Sequence, residues 1–265
     1  MRIHPLSTGT VRVTTAFERG SGPVPLRQLR AIRDRHYTDP LPIHAWLVEH
    51  PDGPLLVDTG ELADVRDMPW ARFSVTPQDE IDRLLSGVGV APKDLKAIVF
   101  THLHLDHRDG LARLPKVPAL VGETELRRSP LGRRALRGRA TTTIRLRHEP
   151  FGAFPTSAPL TGDGTIRAVP IPGHTLGQLA IVIDEGDRHV MLAGDSAYSQ
   201  AQLLERHPDG IGARPATARE TMERILAHAR RHPTVYLPSH DPESATRLAN
   251  RATVPVDQAQ EPVTA

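Results

Sequence analysis

The sequence predicts an α/β protein in which two β-sheets pack face to face with helices outside. Three observations carry that expectation. Short apolar runs of strand length recur in both halves of the chain, helical periodicities are interspersed among them, and 265 residues with 38% hydrophobic content suffice for one sizeable core.

Taken in order, residues 11–17 form the first strand-type run, and a Pro- and Arg-rich connection leads to Pro42. Residues 43–49 and 55–58 are apolar runs joined at Asp52-Gly53, a dipeptide suited to a tight hairpin. Residues 76–85 read as a helix. Thr76 can cap it, Pro77 suits its first position, Asp79 and Glu80 favour its positive end, and Ile81, Leu84, Leu85 and Val88 share a face. Ala97–Phe100 is a short buried-type strand running into a His-rich turn, and residues 119–121 are another.

Residues 165–169, 178–183 and 189–193 form a second set of strands, with Glu185-Gly186-Asp187 turning between the last two. Residues 216–231 read as a helix opened by a capping box, Thr217 with Glu220, that carries Met222, Ile225, Leu226 and Ala229 inward. A strand over 235–237 and a helix over 242–250 follow. The polar, Pro-containing end is expected to fray, so the chain divides into one domain over 1–252 and a flexible tail over 253–265.

Composition narrows the function. No run approaches the 18 or so apolar residues of a membrane helix, and residues 1–17 contain no apolar signal core, so the expected address is cytoplasmic, with no membrane partner. The formal charge of +2 implies no nucleic-acid partner. With no Cys there is neither a thiol nucleophile nor a thiolate ligand, so any metal must be held by nitrogen and oxygen.

The decisive stretch is Thr101-His102-Leu103-His104-Leu105-Asp106-His107. Three imidazoles and a carboxylate within six residues need a cation to justify their proximity. Residues two apart in an extended segment point the same way, so His102 and His104 can reach one ion while Asp106 and His107 project elsewhere. A turn into helix near Gly110 would bring that second pair to a second ion, about 3.5 to 4 Å from the first. More donors are then required, and His174, Asp195 and His240 each follow the end of a predicted strand.

These stretches, together with Leu55-Leu56-Val57-Asp58-Thr59-Gly60, resemble the motif series of the metallo-β-lactamase superfamily of metallohydrolases, and the resemblance runs from Leu55 to His240. It implies an αββα four-layer sandwich of two mixed sheets. It assigns His102, His104 and His174 to one metal, Asp106, His107 and His240 to the other, and Asp195 as the bridge. Asp58 resembles the carboxylate that orients a ligating imidazole. After His107 the superfamily usually has a small residue, whereas this chain has Arg108-Asp109; Arg108 is expected to point outward.

Asp195-Ser196-Ala197-Tyr198 resembles the N-acyl-homoserine lactonases, in which a Tyr three residues after the bridging Asp contacts the substrate carbonyl. Met68, Trp70 and Phe73 fall where such lactonases line an acyl channel. The resemblance therefore implies lactone opening by a hydroxide shared between two divalent ions, zinc first and iron, cobalt or manganese next. Tyr198 would stabilise the oxyanion and Asp106 would carry a proton. The expected partner is a small-molecule lactone, and a homodimer would fit. The rival expectations are a thioesterase resembling glyoxalase II and, more distantly, a nuclease using the Arg-rich segment over 127–147.

Overall fold

The computed structural model describes residues 1–212 and 214–256. The first half runs β1 (Arg2–Val13), α1 (Thr15–Glu18), α2 (Val24–Arg33), β2 (Leu41–Glu49), β3 (Leu55–Val57), β4 (Ala71–Ser74), α3 (Ile81–Gly87), β5 (Ala97–Phe100), α4 (Leu105–Arg108), β6 (Ala119–Gly122), α5 (Glu123–Arg128), α6 (Pro130–Ala135) and β7 (Thr141–Ile144). The second runs β8 (Ala158–Pro159), β9 (Ile166–Pro170), β10 (Leu179–Asp184), β11 (His189–Leu192), α7 (Gln200–Leu204), α8 (Pro215–Arg231), β12 (Thr234–Leu237) and α9 (Ser244–Asn250).

Among the described residues the strands form a seven-stranded sheet ordered β4-β1-β2-β3-β5-β6-β7 and a five-stranded sheet ordered β12-β11-β10-β9-β8. Both are mixed, because β3, β5 and β6 run parallel in the first and β11 pairs parallel to β12 in the second. Side chains alternate across each strand. Trp46 and Val48 of β2 meet Ile181 and Ile183 of β10 between the sheets. Leu47 and Leu56 instead face outward onto Ile81 and Leu85 of α3, and Val182 and Met191 pack against Met222, Ile225 and Leu226 of α8. Both faces of each sheet are covered, so the central strands read as continuous apolar runs.

Several boundaries differ from expectation for identifiable reasons. The first strand begins at Arg2 and ends at Val13; a bulge between Ser7 and Thr10 breaks its alternation, and Phe17 lies in α1. The connection before Pro42 contains α2, whose buried residues are Arg27 and Ala31 while Leu26, Leu29 and Ile32 are exposed, so no inward apolar stripe announces it. The predicted 76–85 helix is split. Pro77–Asp79 is a separate turn held by Thr76 donating to the Asp79 carboxylate, and extended Glu80 accepts from Arg113 and the Ala63 N–H. Pro215 opens α8, which puts Thr217 inside the helix rather than at its cap. Val254, assigned to the tail, is buried and donates its N–H to the Thr234 carbonyl (2.8 Å); the rest of the expected tail, 257–265, lies outside the described residues.

At the start of β11, His189 Nδ1 lies 2.8 Å from His228 Nε2, and His232 stacks on His189 at 4.6 Å. Burial, then the neighbouring His189, His232 and Arg231, lowers His228 from the usual 6.5 to about 3. The acid facing the cluster is Asp184, 3.8 Å from His189 Nε2. A histidine kept neutral by the fold contributes stability that is full above about pH 6.5 and is lost as pH falls toward its folded pKa. The melting temperature should therefore drop as pH is lowered from 7 to 5, with a shallower slope in His228→Gln; equal slopes would contradict the assignment.

Candidate metal centre

The site lies where strands of both sheets end. Asp58 follows β3, residues 101–107 follow β5, His174 follows β9, Asp195 follows β11 and His240 follows β12. Parallel neighbours end on the same rim, and cross-links fix the rim: Thr101 accepts from the Leu179 N–H (2.9 Å), Gly194 from the Ser239 N–H (3.0 Å) and Ser239 from the His44 N–H (3.0 Å). Gly194, at φ 49°, turns the chain into Asp195, and a Cβ there would meet the Thr101 hydroxyl at 2.9 Å. Asp58 adopts φ 60° without being glycine, a strained conformation of the kind retained where function requires it.

All seven predicted donors converge. Three groups bring a donor atom from each member within 4.8 Å of the others: His102, His104 and His174; His102, His107 and Asp195; and Asp106, His107 and His240. Asp195 stands between them, with Oδ1 3.1 Å from His107 Nε2 and Oδ2 3.4 Å from His174 Nε2 and 3.3 Å from His240 Nε2. His104 Nδ1 and His174 Nε2 are 2.9 Å apart, and Asp106 Oδ2 is 3.4 Å from His240 Nε2. A tetrahedral ion with bonds of about 2.05 Å has donor-to-donor edges of about 3.3 Å. The spacing fits coordination, and the donor set suits zinc or another divalent first-row metal.

Second contacts leave the inward nitrogens bare. His107 Nδ1 donates to Asp58 (2.9 Å), His174 Nδ1 to Asp209 (2.9 Å), His240 Nδ1 to the Pro42 carbonyl (2.9 Å) and His102 Nδ1 to the Thr101 hydroxyl (3.2 Å). Asp58 also accepts from the Thr101 N–H (2.8 Å) and hydroxyl (2.7 Å). His102 Nε2, His107 Nε2 and Asp195 Oδ1 are buried with no hydrogen-bond partner, an arrangement whose cost a cation would remove. Burial, then His107, holds His102 well below its usual value, and burial with His174 lowers His104 to about 4. Burial alone would raise Asp195, but His240 and His107 outweigh it and keep the carboxylate ionised.

The sequence reading missed Asp209, Gln178 and the Pro42 carbonyl. Asp209 precedes Gly210, and its Oδ1 accepts from the Ile211 (2.9 Å) and Gly212 (2.6 Å) N–H groups, so it reads locally as a turn former. Gln178, with its amide oxygen turned to the loop, accepts from the Asp195 (3.1 Å) and Ser196 (3.0 Å) N–H groups. No local pattern announces either role.

A cavity of about 350 Å³ opens on the donors and is walled by Met68, Trp70, Phe73, Phe17, Leu131 and Ile211. Tyr198 borders the same cavity, stacks on His240 at 5.2 Å, and donates its N–H to Gln202. Burial, then Asp195, raises its phenol well above the usual range, so it stays protonated. Arg108 does not point outward. It is 9% exposed and lines the cavity, because Nε donates to the Leu103 carbonyl (3.0 Å) and Nη1 pairs with Asp109 (2.8 Å). In the Arg-rich segment, Arg139 donates to the carbonyls of Pro115, Val117, Leu111 and Leu114, and Arg133 to those of Leu126 and Arg127.

Two packed mixed sheets with a rim of five imidazoles and two carboxylates define a metallohydrolase-type architecture. The Metallo-beta-lactamase superfamily profile matches residues 38–240, and the chain belongs to that superfamily. A probable metallo-hydrolase of Mycobacterium tuberculosis is 33% identical over 180 residues, 60% of this chain and 58% of that protein, so the match spans little more than half of the relative's length. The N-acyl homoserine lactonase AiiA of Bacillus thuringiensis subsp. kurstaki is 25% identical over 231 residues, covering 77% of this chain and 82% of its own. AttM of Agrobacterium fabrum, also an N-acyl homoserine lactonase, is 22% identical over 229 residues, covering 77% and 83%. A solved N-acyl homoserine lactone hydrolase with N-hexanoyl-L-homoserine bound at its catalytic metal centre superposes with a TM-score of 0.73 at 20% identity, covering 92% of this chain and 94% of that one. At that identity the likeness concerns the fold.

Proposed function

We propose that this chain is a dinuclear metal-dependent hydrolase that opens lactone rings, with N-acyl-homoserine lactones the leading substrates. The observation that carries the reading is the placement of Tyr198. Its ring lies on His240, and it shares one cavity with Asp106, Asp195 and the apolar wall of Met68, Trp70 and Phe73. His102, His104 and His174 would hold one ion, Asp106, His107 and His240 the other, and Asp195 would touch both. Bound divalent ions supply a water acidified toward a pKa of about 7 and polarise an ester carbonyl.

The chain's own groups do the rest. Tyr198, a protonated phenol, donates to oxygen as it gains negative charge at the ester carbon. Asp106, half-buried at the cavity, takes a proton and returns it to the departing ring alkoxide. Asp58 and Asp209 keep the imidazoles of His107 and His174 oriented. The apolar wall takes the acyl arm and excludes water.

The test is a hydrolysis panel on metal-loaded protein: short- and long-chain N-acyl-homoserine lactones, plain γ- and δ-lactones, a glutathione thioester and a β-lactam. Lactones should be preferred; a thioester or lactam preference would overturn the reading. Tyr198→Phe should lower kcat on the preferred lactone about 10- to 100-fold with metal content unchanged, and an unchanged kcat/KM and kcat would remove Tyr198 from the reaction.

A further inference from the structure

Arg108 directly follows His107, and this long cation lines the reaction cavity. Arg108 ends the single turn of α4; Leu105, Asp106 and Arg108 all line the cavity, while His107 turns the other way onto Asp58. Its guanidinium is half committed. Nε is taken by the Leu103 carbonyl and Nη1 by Asp109, and among the described residues Nη2 has no protein acceptor. Arg108 as a whole is 9% exposed, and an acceptor entering the cavity replaces the water that Nη2 would otherwise bind.

We infer that Arg108 is a specificity-determining residue: its free Nη2 donates to a carbonyl oxygen, amide or oxo, on the acyl arm of the substrate. This rests on the lactonase reading above and adds to it the kind of arm the enzyme selects. The acceptor is a neutral carbonyl rather than a carboxylate. The guanidinium charge is already balanced by Asp109 at 2.8 Å, and Asp106 lines the same cavity, so a further anion gains little attraction. An arm without an acceptor oxygen leaves Nη2 to water, so the discrimination is the net worth of one hydrogen bond to a charged donor.

The experiment compares metal-loaded parent, Arg108→Met and Arg108→Lys on two lactones matched in length, N-hexanoyl-homoserine lactone and α-heptyl-γ-butyrolactone, which lacks the amide. In Arg108→Met the preference for the amide-bearing lactone, as a ratio of kcat/KM values, should fall about tenfold or more, through KM rather than kcat. Arg108→Lys, which keeps a donor, should restore part of it. Calorimetric binding of the ring-opened product, N-hexanoyl-homoserine, should weaken by a similar factor in Arg108→Met at unchanged metal content. A preference ratio and product affinity within twofold of the parent's would overturn the inference about Arg108. A parent that opens neither lactone would overturn the lactonase reading instead, and the product-binding comparison would still judge Arg108.

Discussion

Asp195→Asn should fold but lose bound metal, and turnover should fall by about a thousandfold or more. Asp195 is the side chain that approaches donors on both sides, with Oδ1 3.1 Å from His107 and Oδ2 3.4 Å from His174 and 3.3 Å from His240. An amide keeps the shape but carries no charge, and its NH2 group presents hydrogens where a ligand lone pair is required. Elemental analysis should show fewer ions per chain than the parent binds. A graded comparison is Asp58→Asn, which leaves all seven donors intact but removes the charged partner of His107 Nδ1, a carboxylate that also accepts from Thr101. It should weaken metal affinity about 10- to 100-fold, the usual range for such orienting partners. Two ions bound as tightly in Asp195→Asn as in the parent would refute a shared carboxylate.

The convergence of the candidate donors was legible because their placement is local or tied to strand ends. His102 and His104 sit on the short connection after β5 and Asp106 and His107 on α4, which follows at once, so backbone periodicity decides which side chains point together. His174, Asp195 and His240 were legible because each follows an apolar run, and strand ends on one rim converge. Asp209 was not, since its contact with His174 spans 35 positions and its local surroundings describe only a turn. Arg108 failed for the opposite reason. A long cation is expected to reach water, yet a main-chain carbonyl and the adjacent Asp109 capture it before it leaves the cavity. The early boundaries followed the same rule: β1 hides behind a bulge, and α2 buries an arginine rather than an apolar stripe.

Replacing Gly110 with Ala should destabilise the protein by about 2 to 3 kcal/mol and disturb the metal centre together with the fold. Gly110 was expected to mark the turn that redirects Asp106 and His107, and its surroundings show why no side chain fits. A Cβ there would stand 2.0 Å from the Thr59 carbonyl oxygen, a main-chain atom, and 3.2 Å from Ile81. The strand-end loop after β3 and the turn after α4 are also tied by hydrogen bonds, from the Gly110 N–H to Gly60 (3.1 Å) and from the Thr59 N–H to His107 (2.7 Å). Any movement that relieves the clash separates Asp58 from His107, whose 2.9 Å contact orients the imidazole. A control separates this effect from the general response to losing a glycine. Gly87 lies in α3 with nothing within 4 Å of a Cβ, so Gly87→Ala should be neutral or stabilising by up to about 1 kcal/mol. Melting temperatures of the metal-free proteins measure the packing cost alone, and metal titration of each measures the loss at the centre. If Gly110→Ala matched Gly87→Ala in both, the close approach of these two loops would not be what sets the geometry of Asp58 and His107.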